Sequence, residues 1–411
     1  IFIYLLLLGS VTYSGALVIS TLAGKAGVSV SLATGSLIIG VIAMVYVTAG
    51  GLTAAVWADL IQGSALILGG TVIIWFAFQK LGMATEAASV VSVETGAVSI
   101  QALSPDTGAM ERFWDLNRPR MNMFLPATDT VLPWTALMLG LWIPNFYYWG
   151  LNQYITQRTL GSASLAEGQK GIVFAAFMKL LIPFLIVVPG IIAFNLYSND
   201  MRLEARGDTS GSMALYLDAN PATQFVEIAE APSDAQTAAW PAGRYLLAIY
   251  PDAAAIEALE AANPYVLPIT RSEFESTRAD EFTVFVTEDQ SWAAVNPGLA
   301  EEIEAFNGQV REAAVTAGRS TTSEKMIAFK YDTALAQLLG NVLPQGVGVV
   351  GFVLAALLGA VVSSLAAMLN AASTIFSMDV FKKFIRPQAS QELTVRVGRF
   401  AVIAFGLVAI F

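Results

Sequence analysis

Long apolar runs separated by shorter polar segments dominate the chain. An α-helix rises 1.5 Å per residue, so about 20 apolar residues cross a hydrocarbon core roughly 30 Å thick. Seven runs reach or approach this length, at residues 1–23, 30–50, 53–79, 131–154, 170–197, 346–378 and 395–411. The pattern therefore predicts an all-α transmembrane helical bundle in a multi-pass membrane protein.

Composition strengthens this prediction and narrows the chemistry. Hydrophobic residues make up 55% of the chain and charged residues 13%, with a mean hydropathy of +0.62, which lies outside the range of soluble globular domains. The sequence contains no histidine and no cysteine, which excludes disulfides, thiolate nucleophiles, imidazole-based metal sites and histidine proton relays. Because the chain opens at Ile1 and stops at Phe411 inside apolar runs, we expect truncation at both ends.

Basic residues in two short loops predict the orientation. Arg158 lies in the loop of residues 155–169, and a basic cluster follows the sixth run at residues 381–386. Lys and Arg stay preferentially on the cytoplasmic side of a membrane. We therefore expect a protein of the cytoplasmic membrane, with residues 80–130 and 198–332 on the extracytoplasmic side.

An acidic segment interrupts the apolar pattern and divides the chain into residues 1–197, 198–332 and 333–411. Residues 199–330 carry 21 acidic and 9 basic residues. Apolar runs within the segment predict strands at 245–250 and 282–286, and helical spacing predicts helices at 252–262 and 299–314. The pattern favours a small extracytoplasmic α+β insert with an unknown partner, and a partly disordered acidic loop is the alternative.

Polar residues inside the apolar runs are candidates for a solute site, because buried charge in hydrocarbon is costly. Lys179 and Asn145 lie at similar depth if their helices form an antiparallel hairpin. Tyr148 and Asn152 follow Asn145 at i+3 and i+7, which predicts a polar stripe suited to a hydroxylated solute. The alternatives are a packing role for Lys179, as a buried ion pair or a carbonyl cap, and an interhelical hydrogen bond for Asn145.

The sixth run contains small and hydroxylated residues that suit a sodium ion. Ala360, Ser363 and Ser364 stand at i, i+3 and i+4, so a carbonyl and two hydroxyls can point toward one place. Sodium is a hard cation that prefers oxygen ligands. Small residues also line tightly packed transmembrane helices, which is the alternative interpretation.

Asp59 is an acidic residue near the start of the third run. It follows the Gly50-Gly51 pair, which predicts a tight cytoplasmic turn. The carboxylate either meets the positive end of the helix dipole or serves as a waypoint for a cation that leaves the protein.

Several segments stand in a fixed order along the chain: residues 50–62, 145–158, 169–180 and 361–370, followed by Met378-Asp379. Together they resemble the sodium:solute symporter family, and within it the sodium/galactose and sodium/glucose branch. The resemblance covers all seven runs and leaves out the acidic segment. It implies a partial inverted-repeat core of the LeuT type, spanning about core helices three to nine.

The resemblance also implies roles for the candidate residues. Asn145 and Lys179 match sugar contacts, and Tyr148 matches the aromatic gate that closes the sugar from the cytoplasm. Sodium, the coupling ion, is implied at Ala360, Ser363 and Ser364, with Asp59 on its exit path. The implied activity is sodium and sugar symport through the lipid bilayer by alternating access, without a covalent step and so without enzyme activity.

Other interpretations remain open within this resemblance. The first, second and tenth core helices fall outside the match, so we do not expect the chain to transport by itself. The acidic segment is much longer than the corresponding loop of the sodium/galactose branch, which leaves its role open. The solute is a sugar, a polyol or a monocarboxylate, or the chain is a symporter-like sensory domain, and no nucleic-acid partner is expected.

Overall fold

The computed structural model describes most of the chain, with short gaps. The described residues are 2–25, 29–91, 97–127, 129, 132–221, 226–227, 246–259, 266–287, 292–293 and 297–410. They divide into two compact units. The first, here called the membrane unit, comprises Ile1–Lys80, Met123–Ile191 and Leu335–Phe411, and the second, the mixed unit, comprises Leu81–Asn122 and Ile192–Ala334.

The helices and strands have the following bounds. The α-helices are α1 (Phe2–Lys25), α2 (Leu32–Met83), α3 (Ala109–Asn117), α4 (Trp142–Phe146), α5 (Gln153–Leu160), α6 (Leu165–Ala219), α7 (Ala253–Leu259), α8 (Arg271–Ser276), α9 (Pro297–Thr316), α10 (Ala334–Gln337), α11 (Val349–Ile375) and α12 (Gln391–Ile410). The strands are β1 (Glu86–Val90), β2 (Val98–Ala102), β3 (Val226–Glu227), β4 (Leu246–Tyr250), β5 (Val266–Thr270), β6 (Thr283–Thr287) and β7 (Thr322–Met326). Within the described residues, the membrane unit also contains four π-helical segments, at Ala136–Gly140, Tyr147–Leu151, Leu338–Val342 and Phe376–Ile385.

Several helices are long and apolar enough to cross a membrane. Among the described residues these are four: Leu32–Met83, Leu165–Ala219, Val349–Ile385 and Gln391–Ile410. A shorter apolar helical stretch covers Tyr4–Ser20. The prediction of a multi-pass membrane protein is confirmed.

Gly51 changes the direction of α2. Its φ of 56° lies in the left-handed region, which glycine adopts without the steric cost that a Cβ brings. The two predicted spans at 30–50 and 53–79 therefore form two helical parts of α2, which meet at the predicted Gly50-Gly51 turn.

The predicted span at 131–154 is wrong as one continuous helix. Here α4 lies between two π-helical segments, and the backbone leaves the helical region at Asn152, with φ −78° and ψ 110°. Pro144 has no backbone N–H and its ring blocks regular helical hydrogen bonding, so a strict α-helix is disfavoured at this place. Residue 131 itself lies outside the described residues.

The core of the membrane unit lies where α1, α11 and α12 pack against one another. Tyr4 and Leu8 of α1 belong to one buried apolar cluster with residues of α11 and α12, including Leu369 and Val402. Ile39 and Met44 of α2 belong to the same apolar cluster. Since α11 carries the predicted sodium ligands, this packing fixes the helix that bears them.

The mixed unit contains parallel strand pairs connected by helices. Strand β4 pairs with β5 in parallel and α7 lies between them in sequence, while β6 pairs with β7 in parallel and α9 connects them. The predicted strands and helices of the acidic segment are confirmed here, although Tyr245 and residues 260–262 lie outside the described residues. Strands β1 and β2 form an antiparallel pair that the sequence patterns did not predict.

Candidate functional site

Lys179 lies over two aromatic rings of the membrane unit. Its ammonium is 5.0 Å from the ring centre of Tyr148 and 4.8 Å from that of Trp149. A cation at this distance is attracted to the electron-rich ring faces. Among the described residues no carboxylate forms a salt bridge with Lys179, whose side chain is exposed within this chain. The ammonium is therefore held near Tyr148 with its hydrogen-bond donors available.

Asn145 stands apart from this contact. Its Nδ2 donates a hydrogen bond of 2.7 Å to the Leu141 carbonyl on its own helix. The structure thus brings Tyr148 and Lys179 together, while the hydrogen bond of Asn145 runs along the backbone. Its Oδ1 and exposed position leave it accessible to a solute.

The predicted polar stripe ends before Asn152, which has a different role. Its Oδ1 accepts hydrogen bonds from the Tyr4 hydroxyl at 2.5 Å and from the Tyr154 backbone N–H at 3.3 Å. Asn152 is 4% exposed and caps the start of α5. The stripe is wrong at this residue because the π-helical segment and the backbone break rotate Asn152 away from the position that regular helical spacing gives it.

The three predicted sodium ligands lie together on α11. The Ser363 hydroxyl donates a 3.3 Å hydrogen bond to the Ala360 carbonyl, one turn earlier. Ser363 is buried, whereas Ala360 and Ser364 are partly exposed. The arrangement groups a carbonyl and two hydroxyl oxygens on one turn, which is chemically suited to a monovalent cation.

Gln62 of α2 lies directly beside this turn, and the sequence patterns did not single it out. A Cβ added to Gly359 would come within 2.9 Å of Gln62 Cγ and 3.1 Å of Gln62 Cδ, so the glycine permits this close approach. The Gln62 Oε1 is buried and has no hydrogen-bond partner among the described residues. The side-chain amide of Gln62 therefore lies next to the residue that precedes Ala360, with Nε2 3.3 Å from the added Cβ.

Asp59 forms an ion pair with Arg158. The Arg158 Nε donates a 2.8 Å hydrogen bond to Asp59 Oδ2, and Nη2 donates to the same oxygen. The Asp59 side chain is 25% exposed and that of Arg158 is 29% exposed. From the sequence Asp59 was interpreted as a dipole partner or a cation waypoint, and Arg158 served only as a marker of orientation. The structure shows that the two charges neutralise each other.

Side-chain amides connect α5 to α11. Gln157 Nε2 donates to the Ala367 carbonyl at 3.1 Å, and Asn370 Nδ2 donates to Gln157 Oε1 at 2.9 Å. Sequence reasoning missed this connection, because the partners lie far apart along the chain. Their amide character inside apolar helices is the signal that could have pointed to it.

Comparison with known proteins places this geometry in a family. The model of the sodium:solute symporter family matches residues 1–214 and 314–411. A sodium/glucose cotransporter of Vibrio parahaemolyticus is 31% identical over 404 residues, which cover 98% of this chain and 49% of that protein. An uncharacterized symporter of Escherichia coli, YidK, is 33% identical over 46% of this chain and 30% of its own length. The chain thus spans about half the length, or less, of these relatives.

A solved structure shares the fold. The substrate-bound outward-open state of a Na⁺-coupled sialic acid symporter superposes with a TM-score of 0.52 at 15% identity, covering 99% of this chain and 56% of the other. This likeness confirms the predicted LeuT-type transporter core. With the family match over most of the chain, the protein belongs to the sodium:solute symporter family.

Proposed function

We propose that the protein is a sodium-coupled symporter that carries a galactose- or glucose-like sugar across the cytoplasmic membrane by alternating access. The position of the Lys179 ammonium over Tyr148 and Trp149 carries the proposal. An ammonium donates up to three hydrogen bonds, and an aromatic ring offers an apolar face. A pyranose presents hydroxyls at its rim and C–H groups on its faces, so it matches both.

The named relative supports the same assignment. The Vibrio parahaemolyticus protein bears the name sodium/glucose cotransporter and aligns with nearly this whole chain. In our proposal Lys179 and Asn145 bind sugar hydroxyls, and the Tyr148 ring blocks the inward exit. No covalent step is involved.

Sodium is the proposed coupling ion, bound by the Ala360 carbonyl and the hydroxyls of Ser363 and Ser364. Asp59 lies on the path by which it leaves. Sodium binding favours the outward-open state and strengthens sugar binding, so the downhill entry of sodium drives sugar uptake. Coupling is then the difference in sodium affinity between two conformations.

The topology follows from the same proposal. Residues 80–130 and 198–332 lie on the extracytoplasmic side, and the basic loops near Arg158 and Lys382 face the cytoplasm. The acidic segment at 198–332 then separates two membrane parts at 1–197 and 333–411.

Uptake in proteoliposomes tests the proposal. We expect the protein from its complete open reading frame to accumulate radiolabelled galactose or glucose under an inward sodium gradient and not under a choline gradient. Ser364→Ala removes one proposed sodium ligand and should reduce sodium-dependent uptake strongly. Ser373→Ala is the matched control, because that hydroxyl lies on the same helix and, in the part of the chain that the structure describes, donates only to the Asn370 carbonyl. Equal uptake by Ser364→Ala and wild type would contradict the ion-site assignment.

An anionic or polyol solute is the second candidate. The Lys179 ammonium has no carboxylate partner among the described residues, so it can also neutralise a solute carboxylate. Sodium-dependent uptake of a monocarboxylate or a polyol, with no uptake of either sugar, would show that the sugar assignment is wrong. If no solute moves in any gradient, the symporter-like sensory domain becomes the better interpretation.

A further inference from the structure

We propose that Arg158 is a positioning residue that couples sodium transport to solute transport. Its guanidinium is a tethered cation that exchanges with sodium at Asp59. Its contact with Tyr154 links this exchange to the Tyr148 ring. The inference rests on the proposed function, since it assumes that sodium passes Asp59. It adds a residue for which neither the family match nor the named relatives supply a role.

The geometry of the ion pair suits an exchange of cations. Two Arg158 donors, Nε and Nη2, converge on Oδ2 of Asp59, and no described residue donates a hydrogen bond to Oδ1, which leaves that oxygen open to a second cation. The pair is partly exposed, which allows a hydrated ion to reach it. A carboxylate prefers one full positive charge beside it, so the arrival of sodium weakens the hold on Arg158, and the departure of sodium restores it.

A short path leads from the proposed sodium ligands to this carboxylate. Gln62 packs on Gly359, the residue before Ala360, and its buried Oε1 lacks a hydrogen-bond donor among the described residues. Asp59 precedes Gln62 by three positions on α2, and side chains at this spacing are neighbours on a helix surface. Sodium leaving α11 therefore passes the Gln62 amide, whose Oε1 has no partner among the described residues, and then reaches a carboxylate.

A second set of contacts leads from Arg158 to the proposed gate. The Arg158 Nη1 donates a 2.6 Å hydrogen bond to the Tyr154 carbonyl, and the guanidinium lies 5.8 Å from the centre of the Tyr154 ring. The Tyr154 ring meets the Tyr148 ring edge to face, with centres 6.4 Å apart. The Lys179 ammonium lies on the Tyr148 ring. Three side chains, those of Arg158, Tyr154 and Tyr148, thus connect the proposed sodium exit at Asp59 to the proposed sugar contact at Lys179.

The backbone between Tyr148 and Tyr154 contains features typical of a hinge. Tyr148 belongs to a π-helical segment, and the chain breaks at Asn152 before α5 begins. Such segments are frequent at functional sites, and hinges form where a few residues at the ends of helices absorb a change of angle. Release of Arg158 then loosens α5 at its junction with the gate. Contact alone does not demonstrate coupling, so the test must measure it.

The test compares sodium and solute fluxes in one preparation of proteoliposomes that carry the protein from its complete open reading frame. We expect Arg158→Gln to raise the sodium flux without solute about tenfold, the size of a typical coupling energy, and to lower the number of solute molecules carried per sodium. Arg158→Lys should be intermediate, since it keeps the charge and loses the planar fork. Arg396→Gln is the control, because that arginine forms an exposed pair with Glu392 and should behave as wild type.

A double variant separates coupling from a merely structural ion pair. Removing one partner leaves an unpaired charge, so a structural defect in Arg158→Gln should be relieved by adding Asp59→Asn. If Arg158 couples the fluxes, the double variant leaks as much sodium as Arg158→Gln. Restored coupling in the double variant would overturn the inference and leave the proposed function intact. The same conclusion would follow if Arg158→Gln and Arg158→Lys lowered the sodium and solute fluxes together, with the wild-type ratio of the two fluxes unchanged. A wild type that moves sodium but carries no solute when solute is supplied would overturn both.

Discussion

Particular polar side chains in the two units have different surroundings: Lys179 and Gln62 in the membrane unit, and Asn307 in the mixed unit. In the membrane unit the Lys179 ammonium contacts only aromatic rings in the described structure, and the Gln62 oxygen has no hydrogen-bond partner there. In the mixed unit, the Oδ1 of buried Asn307 accepts a hydrogen bond of 2.8 Å from the backbone N–H of Phe285, and its Nδ2 donates one to the Phe285 carbonyl. Unpaired polar atoms in a bilayer are costly, so their retention indicates function, whereas paired ones stabilise a fold.

Asparagine pairing within the mixed unit shows the structural use clearly. Asn117 and Asn195 donate to each other at 2.8 and 3.1 Å, and Asn195 also donates to the Ala88 carbonyl. Arg112, although charged and 3% exposed, donates to the carbonyls of Leu81 and Ala84. These contacts leave few donors for a ligand.

We expect the largest effect of a single substitution at Lys179, on the affinity for the solute. Lys179→Met removes the ammonium and keeps the aliphatic length, so solute affinity should fall about 10- to 100-fold, the range for hydrogen bonds from a charged donor. The melting temperature should change little, because the side chain is exposed within the chain. Solute binding and thermal unfolding of the purified protein measure the two quantities.

Lys170→Met is the matched control for this prediction. Lys170 lies on the same helix, its side chain is 75% exposed, and it pairs with Glu167. We expect normal solute affinity in this variant. If Lys179→Met lost much stability and kept its solute affinity, Lys179 would have the packing role. The contrast with the structural polar residues of the mixed unit would then be wrong.

The opposite result is expected for Asn307. Asn307→Ala leaves the buried N–H and carbonyl of Phe285 without these partners, which should destabilise the mixed unit by about 2 kcal/mol. The apparent melting temperature of this unit should then fall by about 4–8 °C, while sodium-dependent uptake at low temperature persists. Gln309→Ala changes an exposed amide on the same helix and should have little effect. Lost uptake in Asn307→Ala without lost stability would give the mixed unit a part in transport.

Local patterns in the sequence predicted the elements that local physics determines. The apolar runs at 346–378 and 395–411 predicted α11 (Val349–Ile375) and α12 (Gln391–Ile410), because most of their residues favour lipid. The strands at 246–250 and 283–287 follow from short apolar runs between turn residues. The grouping of Ala360 with Ser363 needed only helical spacing, and the structure shows their hydrogen bond.

Contacts between distant segments could not be predicted in this way. Asp59 and Arg158 are 99 positions apart, and Gln157 and Asn370 are 213 positions apart. Nothing in either local pattern records its partner, because these pairs depend on how the helices pack. The backbone break at Asn152 was missed for a related reason: hydropathy counts side chains, and it does not register where hydrogen bonding along the helix changes.

The smallest expected effect concerns pH and an exposed contact of the mixed unit. Hydrogen bonds from the Thr270 hydroxyl and the Thr270 backbone N–H lower the pKa of Glu273 below its usual range. A lowered pKa in the folded state means that the ionised carboxylate stabilises the start of α8 at neutral pH. This stabilisation is complete above the ordinary carboxyl pKa of about 4.3 and is lost as the pH falls through the lowered value. Because the carboxylate is exposed, solvent screening keeps the effect small.

Hydrogen exchange at the Glu273 backbone amide, which donates to the Thr270 hydroxyl at 3.2 Å, measures this effect locally. Protection of this amide, corrected for the intrinsic pH dependence of exchange, should decrease as the carboxylate is protonated. Glu273→Gln removes the charge and should lower protection at neutral pH, with little further change in acid. Glu275→Gln is the control, since within the described structure the Glu275 carboxylate forms only a long 3.9 Å pair with Arg271. The same acid-dependent loss of protection in Glu273→Gln would mean that another group titrates, whereas its absence would show that a local capping contact stabilises the mixed unit.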